Sequence, residues 1–205
     1  MITRRHLVAM LAGLALLRGV PTRAGEPSAA AATTIRDFYA VLLETMKNGP
    51  KLGFAGRKAK LTPVIDKAFA LALMTRLTVG PQWQNLAPDD QKNLVDAFSD
   101  FSIATYANRF DDYSGEQFEV DPGTTPVANG DVIVHSKLIK SDADPVALDY
   151  LMRVEGDGWQ IIDVYLSGTV SELATRRSEF SSVLRRGGVA ALLDLLQKKT
   201  TELSG

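Results

Sequence analysis

Cysteine is absent from the 205-residue chain, and histidine occurs only at His6 and His135. The first absence excludes disulfides, thiol chemistry and thiolate metal ligation, so the fold must be held by its own core. The second leaves no pair of imidazoles for a metal site once the opening residues, which include His6, are set aside. No apolar run reaches the roughly 20 residues a helix needs to cross a bilayer. A basic excess is missing too: 23 Lys and Arg stand against 24 Asp and Glu. What remains is a chain that is 45% hydrophobic, with composition suited to a globular unit of one core.

The opening stretch, "MITRRHLVAMLAGLALLRGVPTRAG", has basic residues at Arg4 and Arg5, then an apolar run from Leu7 to Leu17. Small residues follow, with Thr22 and Ala24 placed at the −3 and −1 positions of a cleavage site. This is secretory signal grammar over residues 1–24. Thr3-Arg4-Arg5 with Leu7-Val8 resembles a twin-arginine signal, and paired arginines also open ordinary secretory signals. No cysteine is present to carry a lipoprotein anchor. Cleavage would remove four arginines, leaving 19 basic residues against 24 acidic, a charge of about −5. Phosphate-backbone binding needs a basic excess or stripe, so nucleic acid is excluded as a partner.

Residues 25–33, "GEPSAAAAT", read as a disordered leader, and residues 34–205 as one domain. From Thr34, Ile35, Phe38, Tyr39, Leu42 and Met46 recur at helical spacing until Asn48-Gly49-Pro50 stops the run. "RKAKLTPVIDKAFALALMTRLTV" reads as two helices meeting at Thr62-Pro63, a cap followed by proline at the first helical position. After "GPQW", Pro88-Asp89-Asp90 starts the longest helix, with acids where the macrodipole favours them. Four β-like runs follow, "EQFEVDP", "DVIVHSKLIKS", "VALDYLMRVEG" and "GWQIIDVYLSG", separated by turn residues. Helical spacing returns after Gly168, with Gly187-Gly188 as a hinge or cap before the last helix. Helices, then a meander, then helices: the expected fold is α+β, with helices packed on a mostly antiparallel sheet of about four strands.

Catalytic equipment is scarce. His135 lies alone in a strand, where a structural or surface role competes with that of a general base. Ser171 sits in "GTVSEL" rather than a nucleophile elbow, and suits a helix cap. No glycine-rich phosphate loop follows a strand. Asp163, between Ile162 and Val164 in the most apolar strand, is the one acid whose burial would be costly without partners. It is either a raised-pKa base of a small isomerase-like cone, or a residue that caps the Gly168 turn or pairs with Arg176 or Arg177.

The stretch "GWQIIDVYLSGTVSELATRRSEFSSVLRRGGVAALLDLLQKK" resembles the MlaC / toluene-tolerance family of periplasmic lipid-binding proteins, matching at Trp159, Asp163, Gly168, Ser171, Arg177, Phe180 and Gly188. Upstream, "FALALMTRLTVGPQWQNLAPDDQKNLVDAFSDFSIATYANRF" is similar to the family's Gly-x-x-Trp and long-helix block, including Trp83, Phe98 and Tyr106. "VGPQW", "ATYANRFDDYSGEQFEV" and "GTVSELATRRSEF" resemble the hopanoid-associated HpnM branch more closely. The resemblance implies a periplasmic shuttle, not an enzyme, serving an ABC-type inner-membrane lipid transport complex. It would carry hopanoid or phospholipid between inner and outer membranes, touch membranes only transiently, and need no cofactor or metal; the alternative to a carrier or an enzyme is a structural partner of an envelope complex whose apolar interior is only core.

Such a shuttle must bury its cargo, because exposing a sixteen-carbon chain costs roughly 13 kcal/mol at about 0.8 kcal/mol per CH₂. The expected cavity lies between sheet and helices, at or above roughly 300–1,000 Å³. Its expected lining is Phe38 and Leu42 from the first helix, Leu73, Met74 and Leu77 from the next, and Phe98, Phe101 and Tyr106 from the longest. Leu151 and Tyr165 are the expected strand contributions, and Arg177 is expected near the mouth, where a guanidinium suits a phosphate or pairs with Asp163.

Overall fold

A computed structural model describes residues 26–141 and 143–205. The expected signal segment, residues 1–24, lies outside them. The elements are α1 (Glu26–Lys47), α2 (Gly49–Ala68), α3 (Leu71–Val79), α4 (Pro88–Arg109), β1 (Gln117–Pro126), β2 (Val132–Ile139), β3 (Val146–Glu155), β4 (Gly158–Leu166), β5 (Val170–Ser171) and α5 (Glu172–Ser204). The strands form one antiparallel meander in the order β1-β2-β3-β4-β5. The α+β architecture matches the expectation, and a two-residue fifth strand joins the four anticipated.

Helix α1 begins at Glu26, so residues 26–33 are not a disordered leader. Alanines there favour helix, and Ala31 and Ala32 are fully buried, which repays ordering those turns. The helix lays Ile35, Phe38 and Leu42 on the core, all with no exposed surface. Gly49 starts α2 where only glycine fits, since a Cβ there would lie 1.9 Å from the Asp111 carbonyl oxygen.

Thr62-Pro63 does not divide two helices. Helix α2 runs through Pro63, with Thr62 bonding back to the Lys58 carbonyl. The break comes at Phe69, which turns extended to bridge Ile161 at the open edge of β4, and Ala70 donates its N–H to the Ile161 carbonyl at 2.9 Å. Competition from a strand edge, rather than proline, ends the helix. As a result α3 stands beside that edge, able to reach both faces of the sheet.

Between Leu151 and Met152 the β3–β4 register shifts, leaving Ile162 without a cross-strand partner. The bulge changes which residues of β4 face the helices. Ile161 is on that side before it, and Val164 and Leu166 are after it. Helix α5 bends at Gly188, whose φ of 69° and ψ of −164° belong to glycine. Arg57, buried, ties α2 to the end of α4 by donating to the carbonyls of Ala107 at 2.7 Å and Gly49 at 3.0 Å.

Candidate functional site

A cavity of about 120 Å³ lies between the helix-facing side of the sheet and α2–α5. Its walls come from Phe69 and Met74 at the α2–α3 corner and from Phe98, Phe101 and Tyr106 on α4. The sheet supplies Leu148, Tyr150, Val164 and Leu166. Leu148 and Tyr150 alternate along β3, and their partners Leu166 and Val164 sit opposite on β4, so two cross-strand pairs make the floor. The charged residues of the lining are Arg109, at the end of α4, and Glu172 and Arg176, in the first turns of α5. Arg109 is exposed and the other two half-buried, which places the mouth between those two helix ends.

Of the residues expected to line a cavity, Met74, Phe98, Phe101 and Tyr106 do so. Phe38 stands one layer behind, its ring edge-on to Phe69 and to Tyr106 at 5.4 Å each. Leu42 belongs to the closed core. Leu73 and Leu77 face away from the cavity. They pack with Ala70, Ile162 and Leu151 in a second small cluster, because α3 beside the sheet edge is apolar toward both faces. Leu151 lies between Tyr150 and Met152 and so points to the other face, and Tyr165 does the same between Val164 and Leu166. Arg177 is not at this mouth. It lines a separate surface hollow with Arg76, Gly80 and Trp83, and its neighbour Arg176 takes the cavity position.

The cavity is also smaller than expected, for a visible reason. Phe69 and Tyr106 meet at 5.5 Å, and Tyr106 stacks on Phe110 at 5.7 Å, so aromatic rings fill much of the space. Alternation in "VALDYL" is the signal that could have found Leu148 and Tyr150, but nothing in the sequence separates Arg176 from Arg177.

Behind the floor runs a chain of hydroxyls. Tyr39 Oη lies 2.7 Å from Ser136 Oγ and donates to Tyr150 Oη at 2.9 Å, and Ser136 donates to the Leu148 carbonyl. Burial pushes the Tyr39 phenol up to about 12, and raises Tyr106 and Tyr150 in the same way. These phenols stay protonated at neutral pH and act as hydrogen-bonding struts inside an otherwise apolar wall.

Asp163 is buried, and its partners are structural. Oδ1 accepts from the N–H groups of Val164 at 2.7 Å and Leu173 at 3.0 Å, and Oδ2 accepts from the Ser171 hydroxyl at 2.5 Å. Ser171 in turn accepts from Ala174 N–H, so the two residues together cap α5. On the face of the sheet away from the cavity, which Asp163 shares, His135 sits between Thr125 Oγ1 at 2.9 Å and Asp149 Oδ1 at 3.1 Å, joining three strands. Among the described residues no group of three or more metal-ligating side chains gathers, and no helix is long and apolar enough to cross a membrane.

No curated protein matches the chain. Among solved structures, it is similar to the phospholipid-binding protein from Ralstonia solanacearum, determined in complex with a phospholipid. The two are 27% identical with a TM-score of 0.72, over 86% of this chain and 100% of that one. The model of the MlaC protein family matches residues 37–198, and the chain therefore belongs to the MlaC family.

Proposed function

We propose that this protein is a periplasmic lipid carrier rather than an enzyme, serving an ABC-type lipid transport system and moving phospholipid or hopanoid between inner and outer membranes. The observation that carries the proposal is an apolar cavity open between the ends of α4 and α5, in a chain of this family. The phospholipid complex of the similar Ralstonia protein supports a lipid cargo. At about 120 Å³ the cavity is below the roughly 300 Å³ at which ligand pockets begin. Loading therefore requires the walls to part. Residues 1–24 would direct export and be removed. "VGPQW" and "GTVSELATRRSEF" support placing the chain in the hopanoid-associated HpnM branch.

An isomerase using Asp163 is the competing proposal, and the three hydrogen bonds to its carboxylate count against it. Purification of the mature protein, solvent extraction and mass spectrometry test the carrier. Co-purifying phospholipid or hopanoid at about one per chain is the expected result. Protein that neither retains nor takes up any lipid refutes it.

A further inference from the structure

Trp83 and Arg177 belong to the stretches that carry the family likeness, and neither lines the cavity. They meet elsewhere. A hollow of about 280 Å³ opens to solvent between α3, the Gly80–Asn85 3₁₀ turn and the first turns of α5, lined by Arg76, Leu77, Gly80, Trp83 and Arg177. Its walls are fixed from behind. Gln91 on α4 donates to the Trp83 carbonyl at 2.9 Å. Phe180, one turn after Arg177, is buried edge-on against Phe98 at 6.2 Å. Gly80, at φ 74°, presents bare backbone to the Arg177 guanidinium, since a Cβ there would lie 3.6 Å from its Nε and Nη2.

Two cations face this hollow without a counterion. Elsewhere in the chain guanidinium donors are taken: Arg57 donates to two carbonyls, and Arg153 grips Asp131 with both arms. No acidic residue stands three or four positions from Arg76 or Arg177. Glu172 and Glu179, the acids flanking this part of α5, sit with Arg176 at 3.7 and 3.8 Å, and Lys199 holds Glu179 at 2.8 Å. Among the described residues neither Arg76 nor Arg177 pairs with a carboxylate. On a chain whose charge would be about −5 after cleavage, such a spot recognises an anion by local complementarity and not by overall attraction.

We infer that this hollow docks an acidic segment of a partner protein. One carboxylate side chain sits between Arg76 and Arg177, and an apolar neighbour rests on Trp83 and Leu77. Arginine holds a carboxylate with two parallel hydrogen bonds, and tryptophan and arginine are the side chains that dominate interface energies. A free carboxylate would meet only the two charges, whereas a protein segment also covers Trp83 and Leu77. Leu77 continues into the apolar cluster of Leu73, Ile162 and Leu151, which extends that footprint past the hollow. Attraction to a lipid surface takes about 4–8 clustered basic residues; the neighbours here, Pro81 and Gln84, are uncharged. The docking site stands whether or not the cavity holds a lipid.

The test pans a random heptapeptide display library on immobilised mature protein at physiological salt, then measures the selected peptides by fluorescence anisotropy. Peptides with Asp or Glu beside an aliphatic or aromatic residue should be enriched. Arg76→Gln and Arg177→Gln should each weaken them by about ten- to a hundredfold, the worth of a charged hydrogen bond, and replacing the peptide's carboxylate by an amide should cost as much. Lys198→Gln, which removes an exposed cation farther along α5, should change nothing. A library that yields no acidic binder overturns the proposal. So does full binding by Arg76→Gln, whose exposed position on α3 spares the fold. Equal weakening by Lys198→Gln would mark general charge attraction and overturn it too. Vesicles of phosphatidylcholine and phosphatidylglycerol that bind wild type but not Arg76→Gln would mark a membrane contact, and citrate bound as tightly as the peptides would mark a free-anion site; either result overturns it.

Discussion

Placing a tryptophan on one side of α3 or the other separates a guest cavity from ordinary core. Met74 lines the cavity, whereas Leu73, one residue earlier, packs against Ile162 and Leu151 in the second cluster. Both are 8% exposed, so burial alone does not distinguish them. At roughly 24 cal/mol per Å³, filling all 120 Å³ is worth at most about 3 kcal/mol. An indole in place of the thioether reaches about half that space, so Met74→Trp should hold or gain about 1 kcal/mol after some strain. It should also lose most of its lipid, since the ring occupies volume the chain needs. Leu73→Trp meets a packed cluster and should cost about 1–3 kcal/mol, with lipid per folded molecule unchanged. Urea midpoints at fixed m, paired with extracted lipid, measure both. A destabilised Met74→Trp with its lipid intact, beside a Leu73→Trp that has lost its own, would put the cavity on the wrong side of α3.

The phenol cluster makes the fold sensitive to alkali. Tyr39 titrates at about 12 when folded and near 10 when unfolded, so the unfolded chain sheds protons first as pH rises. Stability is whole below about pH 10 and falls by up to about 1.4 kcal/mol per pH unit per phenol toward pH 12, with Tyr106 and Tyr150 adding in the same direction; urea midpoints that stay flat to about pH 11 would contradict this. Asp163→Asn should cost about 1–3 kcal/mol through the weakened cap of α5 and leave lipid uptake per folded molecule unchanged; a turnover abolished by this change in an unaltered fold would restore the enzyme. Gly188→Ala should cost about 1–3 kcal/mol, because no contact crowds the added methyl and the price is the backbone conformation alone; a melting temperature equal to wild type would mean α5 straightens freely.

The layers were legible because periodicity reports them directly. Ile35, Phe38 and Leu42 recur at helical spacing, and the spacing places them on one face of α1, where they are fully buried. The Pro88-Asp89-Asp90 start of α4 and the stop at Gly168 rest on local backbone chemistry that tertiary contacts did not override. Residues 26–33 were misread because an alanine run has high helix propensity but no apolar period. Their order comes from Ala31 and Ala32 docking on the core, a tertiary fact.

Four of the site residues found away from the cavity share one origin. Leu73, Leu77, Leu151 and Tyr165 all lie on or beside β4 and the corner where Phe69 bridges Ile161. A helix beside a sheet edge is apolar toward both faces, so its spacing cannot say which stripe meets a cavity. A bulge at Ile162 changes strand parity without any glycine or proline to announce it. That same corner bounds the cavity, through Phe69, Leu71 and Met74. It is held to the sheet there by a parallel bridge at Phe69, a backbone hydrogen bond from Ala70 and one from the Gln160 side chain to the Lys67 carbonyl at 3.0 Å, whereas β3 and β4 share a full ladder. If the carrier proposal holds, the closed cavity must part to load, and the α2–α3 corner is the stretch of its wall joined to the sheet outside the strand ladders.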